Sequence, residues 1–554
     1  MTGKSGFIGS LIFILILTIF SLSACTCNPG KNNSSGGHAT LGDDTSVSDD
    51  TAADDSVADD TVPDDDTWTT PPDIVVIMAD DLDSASLDLL LEMDLMPNLK
   101  NYIIDQGTTF DESFVTNPLC CPSRATFITG QYSHNNNVLN NQPPVGGVST
   151  LDDSSTLATW LHDAGYRTSL VGKYLNGYGS ETTQTYIPPG WDDWQVMPDP
   201  YVYTVYDYDI NDNGELVSYG SSPSDYQTDV IAQRAVRFIN DNAGGSDPIF
   251  LWVAPVPPHT EFPENWFGEL HGFADWYALR IRPAPRYAGA LDLDLPDVPS
   301  FNEDDVSDKP LWVRIRPKLN ATDIANARQQ YNDRLIAMLS VDDLIGTVAK
   351  ALDDAGRLNH TILMFLSDNG FFEGKHRVPQ KTADYEEGIR VPLYIRVPGL
   401  PVQSTSRIVL NNDMAPTIVD FTGGEAGIEM DGRSLVPLLQ NPDLSPWRKR
   451  FFIQHWAIST SILEIPTYSA VRTGPDCLDA PNMLYVYYTL NDQDAGTELY
   501  DLPLDQYQLD SLNADTSPER VHQMTVLRAQ VQEFLDCKGQ RCRDLEDFEG
   551  APSD

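Results

Sequence analysis

From about Pro71 onward, short apolar runs alternate with longer stretches whose apolar residues recur at helical spacing. The strand-like runs are residues 74–78, 168–171, 249–253 and 361–366. Helical spacing marks 157–164, 229–240 and 328–355, the last ending at Gly356. This alternation predicts an α/β domain with a mixed, mostly parallel sheet flanked by helices. Past residues 413–424 the pattern changes. Strand-like pieces at 451–456, 484–488 and 498–502 and one helix at 518–535 predict a smaller C-terminal α+β domain. The expected organisation is a larger domain over 71–445 and the smaller domain over 446–554. Asp209, Asn211, Asn213 and Gly214 mimic the start of a calcium-binding EF-hand loop, but position twelve is Gly220, where a bidentate Glu is required. Asn213-Gly214 is better read as a hairpin turn.

Each of the four strand candidates is followed at once by polar residues. Asp80-Asp81 follow the first, Gly172-Lys173 the second and Pro257-Pro258-His259 the third. Ser367-Asp368-Asn369-Gly370 follow the fourth. Ligands of open α/β sheets bind at the carboxyl ends of the strands. Four such tips, each with metal-ligand or acid–base residue types, point to one shared site.

The ends of the chain read differently. Lys4 precedes an almost wholly apolar run over residues 7–20, then Leu22-Ser23-Ala24-Cys25. The tetrapeptide resembles a bacterial lipoprotein signal, in which the cysteine is acylated; an ordinary signal peptide or an uncleaved anchor helix are the alternatives. On the first reading residues 1–24 are a signal and the protein is exported and lipid-anchored to a bacterial membrane, in the periplasm or at the cell surface. Asp pairs recur every five residues between 45 and 68, among Ala, Ser, Thr and Val. Residues 25–70 therefore read as a disordered acidic tether, with calcium binding by the Asp pairs as the alternative.

Of the 554 residues, 41% are hydrophobic and 10% aromatic, and the formal net charge is −47. Residues 43–66 hold eleven Asp and no Lys or Arg, so −36 of that charge lies outside them. Such acidity argues against a nucleic-acid partner, whose binders carry a basic footprint. The seven cysteines are Cys25, Cys27, Cys120, Cys121, Cys477, Cys537 and Cys542. No zinc-type spacing appears, while Cys537 and Cys542 flank a Lys-Gly-Gln-Arg turn and could pair.

The most specific segment runs Cys120-Cys121-Pro122-Ser123-Arg124 and continues to Thr129-Gly130. Pro122 suits the first turn of a helix and Gly130 its end. Cys120 then stands at a helix N-terminus, which favours anions, and Arg124 lies one turn in. A buried Cys pair ahead of an ordinary helix is the plain alternative. Asp80, Asp81, Asp368 and the carbonyl of Asn369 are hard oxygen donors, a set that selects calcium or magnesium over zinc or copper.

The C-x-P-x-R segment followed by Thr-Gly resembles the signature of the type I sulfatases. That resemblance implies an alkaline-phosphatase-like fold and oxidation of Cys120 to formylglycine by a formylglycine-generating enzyme. It also implies one divalent cation, calcium or else magnesium, on Asp80, Asp81, Asp368, Asn369 and an oxygen of residue 120. Arg124, Lys173 and Lys381 would handle the sulfate, and His259 would protonate the departing alcohol. The hydrated aldehyde would attack sulfur, and its second hydroxyl would expel sulfate. Many members carry a His two or three residues after the first active-site Lys. Here Leu175 and Asn176 stand there, so the base for elimination is left open; Asn176 would orient residue 120, and His134 is an alternative contributor. The runs 172–176, 133–138, 188–191 and 390–392 resemble those of N-acetylglucosamine-6-sulfatases and extracellular heparan-sulfate 6-sulfatases. The implied substrate is a sulfate ester on a small molecule or glycan, 6-sulfated N-acetylglucosamine or a glycosaminoglycan among them. The alternatives are a phosphodiesterase or phosphonate monoester hydrolase of the same fold, or an anchored glycan-binding protein without activity.

Overall fold

The computed structural model describes residues 70–550 except 264–270, 460, 462–463 and 492. The expected signal and all but the last residue of the expected tether lie outside the described residues. The strands in chain order are β1 (Asp73–Ala79), β2 (Thr108–Phe110), β3 (Ser113–Phe114), β4 (Arg167–Gly172), β5 (Asp193–Val196), β6 (Asp209–Asp212), β7 (Glu215–Ser218) and β8 (Ile249–Ala254). They continue with β9 (Thr361–Ser367), β10 (Leu393–Arg396), β11 (Gln403–Thr405), β12 (Val409–Leu410), β13 (Arg450–His455), β14 (Thr467–Thr473), β15 (Met483–Leu490) and β16 (Gln493–Asp501).

Ten of them form one sheet in the order β11-β2-β10-β9-β1-β8-β4-β5-β6-β7. Its centre, β9-β1-β8-β4-β5, is parallel. Antiparallel pairs β9–β10, β10–β2, β5–β6 and β6–β7 lie toward the edges. The central strands are apolar because both faces are covered: every residue of β1, β8 and β9 is buried. Alternate residues feed different cores. Ile74, Val76, Met78 and Trp252 pack with Phe127 of the helix Cys120–Thr129. Val75, Ile77, Leu251 and Val253 pack with Leu335, Met338 and Ile345 of the helix Ala321–Asp354.

That long helix starts seven residues before the predicted 328, because Asn320 caps it through the Thr322 and Asp323 amides. The helix Pro518–Leu535 and the hairpin at Asn213-Gly214 agree with the sequence pattern. At the turn both residues have positive φ, 53° and 97°. A second, antiparallel sheet runs β13-β14-β15-β16. Its strand β14 was not anticipated, because Thr, Ser and Arg interrupt its apolar residues. Cys537 and Cys542 form a disulfide, and Cys120, Cys121 and Cys477 are free and buried.

Candidate active site

The four strands whose tips carry polar residues are neighbours, β9-β1-β8-β4, so their carboxyl ends open onto one place. The chain crosses from β1 into Asp80 and Asp81, and Asp81 adopts φ 68°, which an Asp tolerates. The helix Cys120–Thr129 brings its N-terminus to the same point and ends on Gly130 at φ 66°.

The Cys120 thiol lies 3.3 Å from Asp80 Oδ1 and 3.9 Å from Asp81 Oδ1. Lys381 Nζ lies 2.8 Å from Cys120 Sγ and pairs with Asp81 Oδ1. Lys173 Nζ donates to Asp80 Oδ2 at 2.5 Å. Arg124 Nε donates to Asp368 Oδ2 at 2.7 Å, and its Nη1 donates to the Lys173 carbonyl at 3.0 Å. Asp368 Oδ1 accepts the Asp81 amide at 3.1 Å. His259 Nε2 is 3.6 Å from Asp81 Oδ2, while its Nδ1 faces the Thr260 carbonyl at 2.6 Å. Ligand atoms of Asp80, Asp81, Cys120 and His259 all lie within 4.8 Å of one another, on buried residues.

The electrostatics follow from burial against pairing. Burial opposes the Asp80 carboxylate, but Lys173, His259 and Arg124 outweigh it and hold Asp80 below the usual range. Burial and the Asp80 charge push the Cys120 thiol far up, so it stays protonated and is a poor nucleophile. Burial pulls the His259 imidazole down to about 4, against the pull of Asp81 and Asp80.

The residues fit a hard cation. Asp80, Asp81 and Asp368 supply carboxylate oxygens, and Asn369 Oδ1 is buried with no hydrogen-bond partner among the described residues. The Asn369 amide nitrogen donates to Asp81 Oδ1 at 2.7 Å, which turns the orphaned oxygen away from that carboxylate. An unpaired buried acceptor beside three acids is what a bound cation would satisfy.

A cavity of about 920 Å³ opens over this cluster, lined in part by Lys381, His259, Asn176 and Tyr203. Asn176 reaches the site through Tyr203, donating to its hydroxyl at 2.7 Å. His134 does not join the cluster: its ring nitrogens are taken by Gln454 at 2.8 Å and the Cys537 carbonyl at 3.1 Å, and it stacks on Tyr132. Two residues escaped the sequence reading. Tyr203 stacks on His259, centroids 4.3 Å apart, and lies 4.8 Å from Lys173 Nζ. Arg334 donates to the carbonyls of Asp81 at 2.7 Å and Pro258 at 3.3 Å. Arg334 left one trace, a charge on the apolar stripe of a long helix; Tyr203 sits in a Tyr-rich stretch with no period to single it out.

A family model described as Sulfatase matches residues 72–424. The chain belongs to the sulfatase family. A second model, described as the C-terminal part of N-sulphoglucosamine sulphohydrolase, matches residues 374–535 of this sulfatase. The human protein named N-acetylglucosamine-6-sulfatase is 30% identical over 86% of this chain and 86% of its own. A Drosophila melanogaster protein named extracellular sulfatase SULF-1 homolog is 31% identical over 66% of this chain and 31% of its own. A structure described as a complex with its substrate D-glucosamine-2-N,6-O-disulfate superposes with TM-score 0.68 at 23% identity, covering 87% of this chain and 100% of that one. The phosphonate monoester hydrolase of Agrobacterium radiobacter shares the fold at TM-score 0.57 and 21% identity, covering 83% of this chain and 96% of its own. That likeness shows the fold alone. The sulfatase is therefore a sulfuric ester hydrolase on an alkaline-phosphatase-like fold. One expectation is corrected. The relatives that match include eukaryotic proteins, one of them named extracellular, and no described helix is long and apolar enough to cross a membrane. A lipid-anchored place on a bacterial membrane is not supported by these relatives; the apolar run over residues 7–20 that suggested it lies outside the described residues.

Proposed function

We propose that this sulfatase cleaves the sulfate ester of a glycan, on the 6-position of a glucosamine-type residue, with formylglycine at position 120 and one calcium or magnesium ion. The observation that carries the reading is the placement of Cys120. It stands at a helix N-terminus, against Asp80 and Lys381, in surroundings that keep a thiol protonated and inert. A formylglycine-generating enzyme would supply the modification during maturation. When hydrated, the aldehyde supplies a nucleophilic hydroxyl and a second one for release of sulfate. The cation, held by Asp80, Asp81, Asp368 and the Asn369 carbonyl, would supply Lewis-acid polarisation.

The remaining groups are the chain's own. Arg124, Lys173 and Lys381 bind the sulfate oxygens and stabilise charge as the S–O bond breaks. His259 is anchored through Nδ1 on the Thr260 carbonyl, which leaves Nε2 aimed into the site to protonate the leaving oxygen. The sulfate's negative charge, once bound, favours the protonated ring. Asn176, held by Tyr203, orients residue 120, and His134 is left out of the machinery. The catalytic domain is assigned to 71–445 and the smaller domain to 446–554, with His455 and Ile465 of the latter lining the cavity.

Mass spectrometry tests the reading. The tryptic peptide ending at Arg124 should be about 18 Da lighter than its cysteine form, the change from thiol to aldehyde. Fully active protein with an intact Cys120 thiol overturns it.

A further inference from the structure

We propose that the saccharide bearing the ester is otherwise uncharged, and that this sulfatase discriminates against sugars with a second anion beside the cleaved sulfate and against polyanionic glycan chains. The inference rests on the sulfate-ester reading above and narrows it.

The cavity is lined by aromatic rings and by acidic side chains. Tyr203 stacks on His259; Phe262 meets Tyr203 edge-on at 5.2 Å, and Trp276 meets Phe262 at 6.4 Å. These rings all line the cavity and offer a surface for the C–H face of a sugar. Glu181, Asp199 and Glu464 also line the cavity. Glu181 is fixed there, its Oε2 accepting from Ser149 N at 3.1 Å and Oγ at 2.6 Å. Asp199 is held by Ser180 Oγ at 2.8 Å. Carboxylates accept hydrogen bonds from sugar hydroxyls and amide N–H groups, and they repel a carboxylate or sulfate in the same place.

The positive charge is committed inward. Lys381 is engaged with Asp81 and Cys120. Among the described lining residues the other Lys or Arg is Arg316, packed over the rings of Phe273 at 4.6 Å and Trp312 at 5.2 Å. Three acids face two committed cations. The long-range field acts the same way: a chain of formal charge −47 repels a polyanion before contact, where a binder of such chains would present a basic track.

Turnover of formylglycine-bearing full-length protein should be compared on N-acetylglucosamine 6-sulfate, glucosamine 2-N,6-O-disulfate and a small aryl sulfate. At low salt kcat/KM should favour the singly sulfated sugar over the disulfate by about tenfold or more. The gap should shrink to about threefold in 0.5 M salt, because the screening length falls to a few ångströms. Glu181→Gln with Asp199→Asn should narrow the ratio further. Calorimetric binding of both sugars to the Cys120→Ser chain reads the same preference without turnover. Equal or faster turnover of the disulfate, or equal or tighter binding of it, overturns the proposal. So does a heparin tetrasaccharide that inhibits aryl-sulfate turnover more strongly at low salt than at high salt. Loss of aryl-sulfate turnover with the binding preference intact would instead overturn the sulfate-hydrolysis reading and leave the charge discrimination standing.

Discussion

Arg334 braces three loops of the site with one side chain. Its guanidinium donates to the carbonyls of Asp81 and Pro258 and lies 3.7 Å from the centroid of the Phe371 ring. Those residues follow β1, β8 and β9, so Arg334 sets where Asp81, His259 and Asn369 sit relative to one another. Arg334→Met should lower kcat/KM by about 10–100-fold and weaken calcium binding measured by calorimetry, the range seen when groups supporting metal ligands are removed. Arg334→Lys should recover only part, since an ammonium lacks the fork that spans both carbonyls. Arg334 Nε also lies 3.4 Å from Glu373, which keeps Lys375 at 3.4 Å in either variant, so the fold should survive. Unchanged calcium affinity and turnover in Arg334→Met would remove the bracing role. Asp368→Asn is a sharper cut, because Asp368 serves Arg124 and the Asp81 amide together. It should abolish calcium uptake and lower turnover by at least about a hundredfold; calcium bound with native affinity would exclude Asp368 from the ligand set.

Element packing sets the site through close approach of strand ends. Gly172 closes β4 opposite Ala254 of β8, immediately before Lys173. It has φ 119°, and a Cβ there would stand 2.2 Å from the Ala254 carbonyl oxygen. A methyl group at this position must part the two strands or twist the chain as it enters Lys173. Gly172→Ala should lower the Tm by several degrees and reduce kcat/KM by about tenfold or more, since a misplaced positioning group is felt strongly at the chemistry. A native melting curve and native kinetics would show that the pinch is not needed. The helix Cys120–Thr129 is controlled similarly at its far end, where Gly130 takes the left-handed conformation.

At the scale of the molecule, the C-terminal sheet shares a core with the short strand β3 and with loops that precede and follow the large sheet's strands. Phe114, Tyr132, Phe372 and Tyr385 pack in one cluster with Phe451, Tyr468, Leu527 and Phe534. Arg448 bridges Asp413 at 2.7 Å and Glu546 at 2.8 Å in full burial. A chain ended at residue 445 should therefore fail to fold, with no cooperative melting transition, while a well-folded fragment would show the two parts to be independent. In this shared core Asp384 and Glu498 are both bound by the Tyr488 hydroxyl, at 2.8 and 2.6 Å. Burial and the Glu498 charge push the Asp384 carboxyl up to about 8. Its folded pKa thus lies above the unfolded one, so the folded state binds the extra proton, and stability declines as pH rises from about 4 through 8. Asp384→Asn keeps the acceptor for Tyr488 without the charge. It should raise the Tm at pH 8.5 more than at pH 5.5; an equal effect at both would place the proton elsewhere.

Much of this was legible in the sequence because the signals are local. Apolar runs buried on both faces mark the central strands, and the polar residues just past them mark the tips. Cys120, Pro122, Arg124 and Gly130 lie within a single helix and its cap, so spacing alone could place them. The sequence by itself determined the family motif, the helix that presents Cys120 and the oxygen donors at the ends of β1 and β9. Only the tertiary structure decided which distant groups meet them. His134 lies next to the motif helix in sequence yet turns to Gln454 and Cys537, because those partners arrive from more than 300 residues away. Tyr203 and Arg334 enter from segments whose own patterns hold no chemistry, and the acids lining the cavity come from three separate loops. Periodicity reports which face of an element is buried, but contacts across hundreds of residues depend on strand order and packing, which no local pattern encodes.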